Sequence, residues 1–374
     1  MAEQLETPAL LLDLNRLDSN ILRMRTKLAP FNVTLRPHVK TNKCREVTER
    51  LFAGGRGPIT VSTLREADFF FAAGYTDILY GVGIAPNKFA HAARLIEQGA
   101  GLKLVLDNLD SARLLADFAR NNGQTFEVLL EVDCDGHRSG IASHSPLLVE
   151  IASLLRASGV RVSGVMTHAG NSYDSGSIAE IEAYARQERE AVIHAARLLE
   201  SAGFDLSIIS IGSTPTALFT QELAGITEVR AGVFAFFDLV MAGLGVCQVQ
   251  DIAVSVLTTV IGHQPEKGWV IVDAGWMALS RDRGTAKQKV DQGYGIVCDL
   301  AGQPIGDLIV TAANQEHGII SSRAAGIAGV GELPVGTQLR ILPNHACATS
   351  AQHGGYHVLG HGQPNDYWPR ISGW

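Results

Sequence analysis

The sequence predicts an α/β fold: a parallel (β/α)8 barrel followed by a mainly β domain. Three observations carry this. Up to Gly232, short apolar runs alternate with longer amphipathic stretches. No glycine-rich turn follows the first run, as an open doubly wound sheet would show. After Gly245 the helical stretches stop, and short runs follow one another across Gly, Pro and polar turns.

The barrel strands are expected at Val33–Pro37, Ile59–Ser62, Asp77–Tyr80, Leu102–Asp107, Phe126–Asp133, Val160–His168, Leu206–Ile211 and Glu228–Gly232. Helices are expected at Asn87–Gln98, Leu109–Asn121, Pro146–Ala157 and Ile178–Ala202, with start signals at Ser62–Glu66 and Asp110-Ser111. Such alternation folds as strand, helix and parallel strand. Asp251–Gly262, Trp269–Asp273, Gly293–Asp299, Leu308–Ala312 and Thr337–Leu342 read as strands of the second region. The barrel is accordingly placed at 15–244, and the β-rich domain at 1–14 plus 245–374, with Ala9–Asp13 pairing back onto it.

Composition bounds the function. The 374 residues are 46% hydrophobic and 18% charged, too apolar for a disordered chain. With 31 Lys+Arg against 38 Asp+Glu, net −7, there is no basic surplus for phosphates, so no nucleic-acid partner is expected. The apolar run Val233–Val246 contains Asp238 and several glycines, so no membrane partner is expected either. Five scattered cysteines do not suggest a disulfide framework, and the acidic stretch Met1–Pro8 lacks the apolar core of a signal peptide. A cytoplasmic protein is the expectation.

The chemistry gathers at strand ends, where a barrel carries its reactive groups. Lys40 stands just beyond the first strand. Alone it reads as a surface lysine; partly desolvated, it could form a Schiff base with a carbonyl and then act as a base. Asp133–Gly140, Thr167–Tyr173, Gly212–Thr216 and Arg230–Val233 lie at later strand ends. The last two positions are a usual phosphate site, where Gly212 and Gly232 let the main chain approach an anion. A lysine, a phosphate cradle and a ring of Arg, His and Tyr at one mouth suit pyridoxal 5'-phosphate.

Arg36–Thr41, Ile59–Thr63, Asp135–Gly140, Thr167–Tyr173, Gly212–Thr216 and Asn344–Cys347 together resemble the D-serine dehydratase-like family, pyridoxal-phosphate enzymes of the alanine racemase type. The resemblance runs over nearly the whole chain. Val272–Ala278 and Asn314–Gly318 extend it to a bacterial branch acting on D-threo-3-hydroxyaspartate.

The resemblance implies Lys40 as the cofactor-bearing lysine and catalytic base, Arg138 at the phenolic oxygen and His168 beside the ring. It implies Thr214, Gly232 and Val233 at the phosphate, with Ser213 a further donor, and either Tyr173 or Arg230 at the pyridine nitrogen. His345 and Cys347 match the zinc ligands. As an isolated motif, His-x-Cys reads as a buried thiol beside a turn histidine; in an extended segment, the two side chains would share a face. Nitrogen and sulfur ligands favour Zn2+, though another divalent ion is open. Glu316 and His317 could support the metal or serve only the fold, and the other cysteines read as structural.

The activity implied is loss of water from a D-3-hydroxy amino acid, D-threo-3-hydroxyaspartate giving oxaloacetate and ammonia, or D-serine giving pyruvate and ammonia. A D-threonine aldolase-type retro-aldol reaction is the alternative; such aldolases tend to carry His-x-Asp at the metal. A non-catalytic cofactor carrier would be a single barrel, and a racemase needs a second base and no metal. The resemblance also implies a homodimer.

Overall fold

The structure, a computed structural model, describes residues 5–323, 333–360 and 366–374. The first four residues, part of the acidic stretch ending at Pro8, lie outside the described residues. Among the described residues, no helix is long and apolar enough to cross a membrane.

Strand β1 (Ala9–Asp13) leads into helix α1 (Leu14–Leu28). Strands β2 (Thr34–Pro37), β3 (Ile59–Val61), β4 (Asp77–Gly83), β5 (Gly101–Leu106), β6 (Glu127–Asp133), the short β7 (Ile141–Ala142), β8 (Arg161–Thr167), β9 (Ile208–Ile211) and β10 (Glu228–Ala231) follow. Helices α2 (Arg45–Leu51), α3 (Leu64–Ala72), α4 (Phe89–Glu97), α5 (Leu109–Asn122), α6 (Leu147–Ala157), α7 (Ile178–Ser201) and α8 (Thr214–Phe219) lie between them. Thr63 caps α3 by accepting the N–H of Glu66, as its start signal suggests. The cap of α5 is Asn108, two residues before the expected Asp110, because its side chain reaches the N–H of Ser111 at 2.8 Å.

These strands pair in parallel in the order β2-β10-β9-β8-β6-β5-β4-β3, with β7 attached to β6. The ends of this path meet at one bridge, His38 to Thr60, so a nearly closed barrel joins its first and last strands two residues before Lys40. Leu79, Val105, Leu129, Met166 and Ile208 form one buried cluster, one residue from each of five strands. Strand periodicity places Gly81, Asp107, Glu131, His168 and Ser210, each two residues further on, toward the same side. The interior therefore turns from apolar to polar in a single step toward the strands' C-terminal ends.

The second unit contains α9 (Leu239–Gly243), β11 (Val254–Gln264), β12 (Trp269–Val272), α10 (Trp276–Leu279), β13 (Ile296–Cys298), β14 (Pro304–Ala313) and β15 (Gly318–Ser322). It continues with β16 (Gln338–Leu342), α11 (Ala346–Ser350), β17 (Gly355–Leu359) and β18 (Tyr367–Pro369). The sheet order is β12-β15-β14-β13-β16-β11-β1-β17-β18, with β11 also pairing β12, which closes an antiparallel barrel. Strand β1 pairs antiparallel with β11 and parallel with β17, as expected of Ala9–Asp13. Strands β15, β17 and β18 are additions to the sequence reading; they are short and broken by glycine or aromatic positions without clear alternation.

By compactness, residues 23–232 with 373–374 form one unit and residues up to 22 with 233–372 the other. This division falls after Gly232, ahead of Gly243–Cys247. The segment between belongs with the β domain because Leu239 and Val240 donate to the carbonyls of Pro343 and Asn344, at 3.1 Å each.

Candidate cofactor and metal sites

Lys40 is exposed in the turn just after β2, at the C-terminal mouth of the barrel. Two other lysines are engaged elsewhere: Lys43 pairs with Glu66 at 3.1 Å and Lys103 with Asp77 at 2.9 Å. Arg138 is exposed on the loop after β6. That loop is anchored by Ser139, whose hydroxyl donates to Glu131 at 3.1 Å, and by Gly140 N–H, which donates to Asp107 at 2.9 Å. Burial pushes the Glu131 carboxyl up, against the pull of Ser139 and the Arg138 charge.

His168 follows β8, and its Nδ1 bonds to the carbonyl of Gly212 at 2.8 Å. A carbonyl only accepts, so Nδ1 carries the proton and Nε2 the lone pair. Burial lowers the imidazole to about 3, the Gly212 bond opposes this, and the charges of Arg138, Lys40 and Arg230 add to the lowering. The ring is therefore neutral, suited to packing on another ring rather than pairing with an anion. Tyr173 lies with its ring centroid 6.0 Å from that of His168, and its hydroxyl accepts the N–H of Thr214 at 3.4 Å.

The Gly212–Thr216 turn is tightly built. Gly212 has φ 144°, and a Cβ there would sit 1.8 Å from the carbonyl oxygen of Arg230, so only glycine fits. Ser213 caps α8, its hydroxyl accepting Thr216 N–H at 3.2 Å and bonding Ser172 at 2.9 Å. Its own N–H donates to Thr216 at 3.2 Å. Ser213 thus shapes the turn in which the phosphate is expected from the sequence. Thr214 opens the helix beside it, buried. Gly232 approaches the His38 segment so closely that a Cβ would meet His38 O at 2.8 Å. Val233 falls in the other unit, where its carbonyl accepts the N–H groups of Phe236 and Phe237.

Arg230 is buried in β10, and its terminal nitrogens bond to the Ser210 hydroxyl and the Thr167 carbonyl. Burial lowers its guanidinium pKa while Glu228, Glu188 and Glu131 support the charge. Lys40, Arg138, His168, Tyr173, Thr214 and Arg230 thus belong to one barrel. An amine for an aldehyde, a neutral ring, cations and a hydroxyl-rich turn form a donor set that fits pyridoxal phosphate.

In the β domain, His345 is the N-cap of α11 and Cys347 lies in its first turn. The segment is thus not extended, and the turn rather than strand alternation brings the side chains together. His345 Nδ1 bonds Asp282 at 2.6 Å. Burial lowers the imidazole, but hydrogen bonds to Asp282 and to the Cys347 thiol raise it to about 11. The bond from His345 holds the Asp282 carboxyl low. Asp238 accepts Ala346 N–H at 3.0 Å and Met241 N–H at 3.0 Å, joining the starts of α11 and α9. Among the described residues, no group of three or more His, Cys, Asp or Glu is arranged to hold a metal. A carboxylate on one imidazole nitrogen and a thiol against the ring nonetheless fit a two-ligand site, the carboxylate fixing the ring for the metal.

Glu316 and His317 are exposed in the turn between β14 and β15, and Asp282 holds His345 instead. Cys44, Cys134, Cys247 and Cys298 are buried and none is in a disulfide. Asp282, Asp238 and Glu188 are given no part in either site by the sequence analysis. Asp282 and His345 are 63 residues apart, with no spacing signal to join them. Glu188 leaves one trace, a charge among Ile181, Ala185 and Val192 on the buried face of α7.

Two family descriptions match the chain: the alanine racemase N-terminal domain over residues 12–240, and the putative serine dehydratase domain over 253–359. The chain is 51% identical over 374 residues to the D-threo-3-hydroxyaspartate dehydratase of Delftia sp. (strain HT23), covering 99% of this chain and 98% of the relative. A solved D-threo-3-hydroxyaspartate dehydratase carrying a histidine-to-alanine mutation is similar at a TM-score of 0.98 and 50% identity, covering 100% of this chain and 97% of that one. A cysteine-to-alanine mutant in the metal-free form is similar at a TM-score of 0.98 and 49% identity, covering 100% and 99%.

Proposed function

The chain belongs to the D-serine dehydratase-like family, an alanine racemase N-terminal domain followed by a serine dehydratase domain, and from that premise we propose that it dehydrates D-threo-3-hydroxyaspartate to oxaloacetate and ammonia. D-serine, giving pyruvate and ammonia, is a second substrate of the same chemistry. Pyridoxal 5'-phosphate is held by Lys40, Arg138, His168 and the Thr214 and Gly232 segments, and Zn2+ by His345 and Cys347. The working form is a cytoplasmic homodimer.

The cofactor supplies an electron sink at the α-carbon, and the metal a Lewis acid for the departing β-hydroxyl. The chain's own residues do the rest. Lys40 Nζ takes the α-proton. Neutral His168, its orientation fixed through Nδ1 by Gly212 O, would pack on the cofactor ring. Arg230 bonds Ser210 and Thr167 through its terminal nitrogens, and either Arg230 or Tyr173 would meet the pyridine nitrogen. Asp282 holds the His345 ring through Nδ1, which would leave Nε2 to ligate a bound metal. Loss of proton and hydroxyl leaves an enamine, which tautomerises and hydrolyses in solution.

The observation that carries this reading is the pairing of a carboxylate-held imidazole with a thiol at His345 and Cys347. The relative's metal-free mutant lends it support, being a cysteine-to-alanine change, and the relative's mutated His and Cys stand two residues apart as these do. A panel of D-threo-3-hydroxyaspartate, D-serine and D-threonine tests it. Ammonia and keto acid should form fastest from the first; no ammonia from any of them would refute dehydration.

A further inference from the structure

Glu188 is fully buried in the middle of α7, on a face otherwise made of Ile181, Ala185, Val192, Ala195 and Leu199. Side chains of this kind enter apolar faces only with hydrogen-bond partners. Its Oε1 accepts two backbone N–H groups, from Ala169 at 3.2 Å and Gly212 at 2.9 Å. Ala169 follows His168, and Gly212 precedes the Ser213-Thr214 turn. Gly212 is thus gripped twice, its N–H by Glu188 and its C=O by the His168 ring at 2.8 Å. These bonds close a ring: imidazole to Gly212 carbonyl, Gly212 N–H to carboxyl, and carboxyl to the N–H beside the imidazole.

We propose that Glu188 is a positioning residue that sets the spacing between the ring-packing and phosphate-binding halves of the cofactor cradle. One oxygen holds both halves, so neither loop can shift without breaking a buried bond. Burial also pushes the Glu188 carboxyl up against the Gly212 bond, consistent with a group kept for its acceptor oxygen rather than its charge. The inference rests on the pyridoxal-phosphate reading above.

The test compares cofactor-free wild-type, Glu188→Ala and Glu188→Gln chains titrated with pyridoxal 5'-phosphate and with pyridoxal. His168 packs on the ring of both ligands, but only the first has a phosphate for the turn. The ratio of the two affinities therefore reads the spacing, which loss of general stability would not move. In Glu188→Ala the ratio should fall by about tenfold, the scale of losing one positioned hydrogen-bonding group. Glu188→Gln keeps an acceptor oxygen and should keep the wild-type ratio. If Glu188→Ala does not fold, Glu188→Asp, with the acceptor withdrawn by one methylene, should show a reduced ratio. An unchanged ratio in the folded Ala or Asp variant, or a Gln variant that falls as far as Ala, overturns the proposal. Failure of the wild type to bind pyridoxal 5'-phosphate would count against the cofactor reading instead.

Discussion

Asp282 Oδ2 lies 2.6 Å from His345 Nδ1, a bond between a loop after α10 and the cap of α11. It fixes which imidazole nitrogen is left for a metal and how the ring is turned. Carboxylates in this position also raise ligand basicity. Asp282→Ala should therefore weaken Zn2+ binding by about 10- to 100-fold, as measured by competition with a chelating dye. Unchanged affinity in a folded variant would show that Asp282 does not support the metal.

The metal and the cofactor are assigned to different residues in different units, so they should be separable. Chelation should abolish turnover while leaving the bound cofactor's visible absorbance in place, and Zn2+ should restore the rate. Cys347→Ala should keep the absorbance without recovering at ordinary Zn2+ concentration. Full turnover in a metal-free preparation contradicts the role given to His345 and Cys347.

Borohydride reduction should fix the cofactor on Lys40, with mass spectrometry locating it. Lys43 and Lys103 are held in ion pairs with Glu66 and Asp77, so neither should be labelled. Cofactor found on either would overturn the assignment.

His168 bears on acid stability. Its pKa falls from 6.5 to about 3 on folding, chiefly through burial. Between those values the unfolded chain binds a proton that the folded chain does not. The contribution is whole above pH 6.5 and is lost as pH falls toward 3, at no more than about 1.4 kcal/mol per pH unit. Denaturant melts of cofactor-free protein should show a shallower acid decline in His168→Gln than in wild type. Parallel declines would show that the ring is not buried neutral.

Much of this was legible in the chain because local rules and tertiary outcome agree. The alternation up to Gly232 specified the barrel strands, and Ala9–Asp13 paired into the β domain as its pattern suggested. Lys40, His168 and the Gly212 turn stand out in the sequence because barrels put chemistry at strand ends. What stayed hidden depends on contacts distant in sequence. Asp282 meets His345 only through the fold, and Glu188 shows only as a charge on the apolar face of α7, without its partners. The capping bond of Ser213 is likewise hidden, because a capping hydroxyl and a phosphate-binding hydroxyl look alike in sequence.

The most direct test of the whole account is the product made from D-threo-3-hydroxyaspartate. Dehydration and aldol cleavage differ only in which bond at the substrate breaks, so the products separate them where cofactor spectra cannot. With purified protein, pyridoxal 5'-phosphate and Zn2+, the account predicts oxaloacetate and ammonia in equal amounts, and slower turnover of α-deuterated substrate if removal of the α-proton by Lys40 limits the rate. Glycine and glyoxylate as the main products would contradict it and make the chain an aldolase.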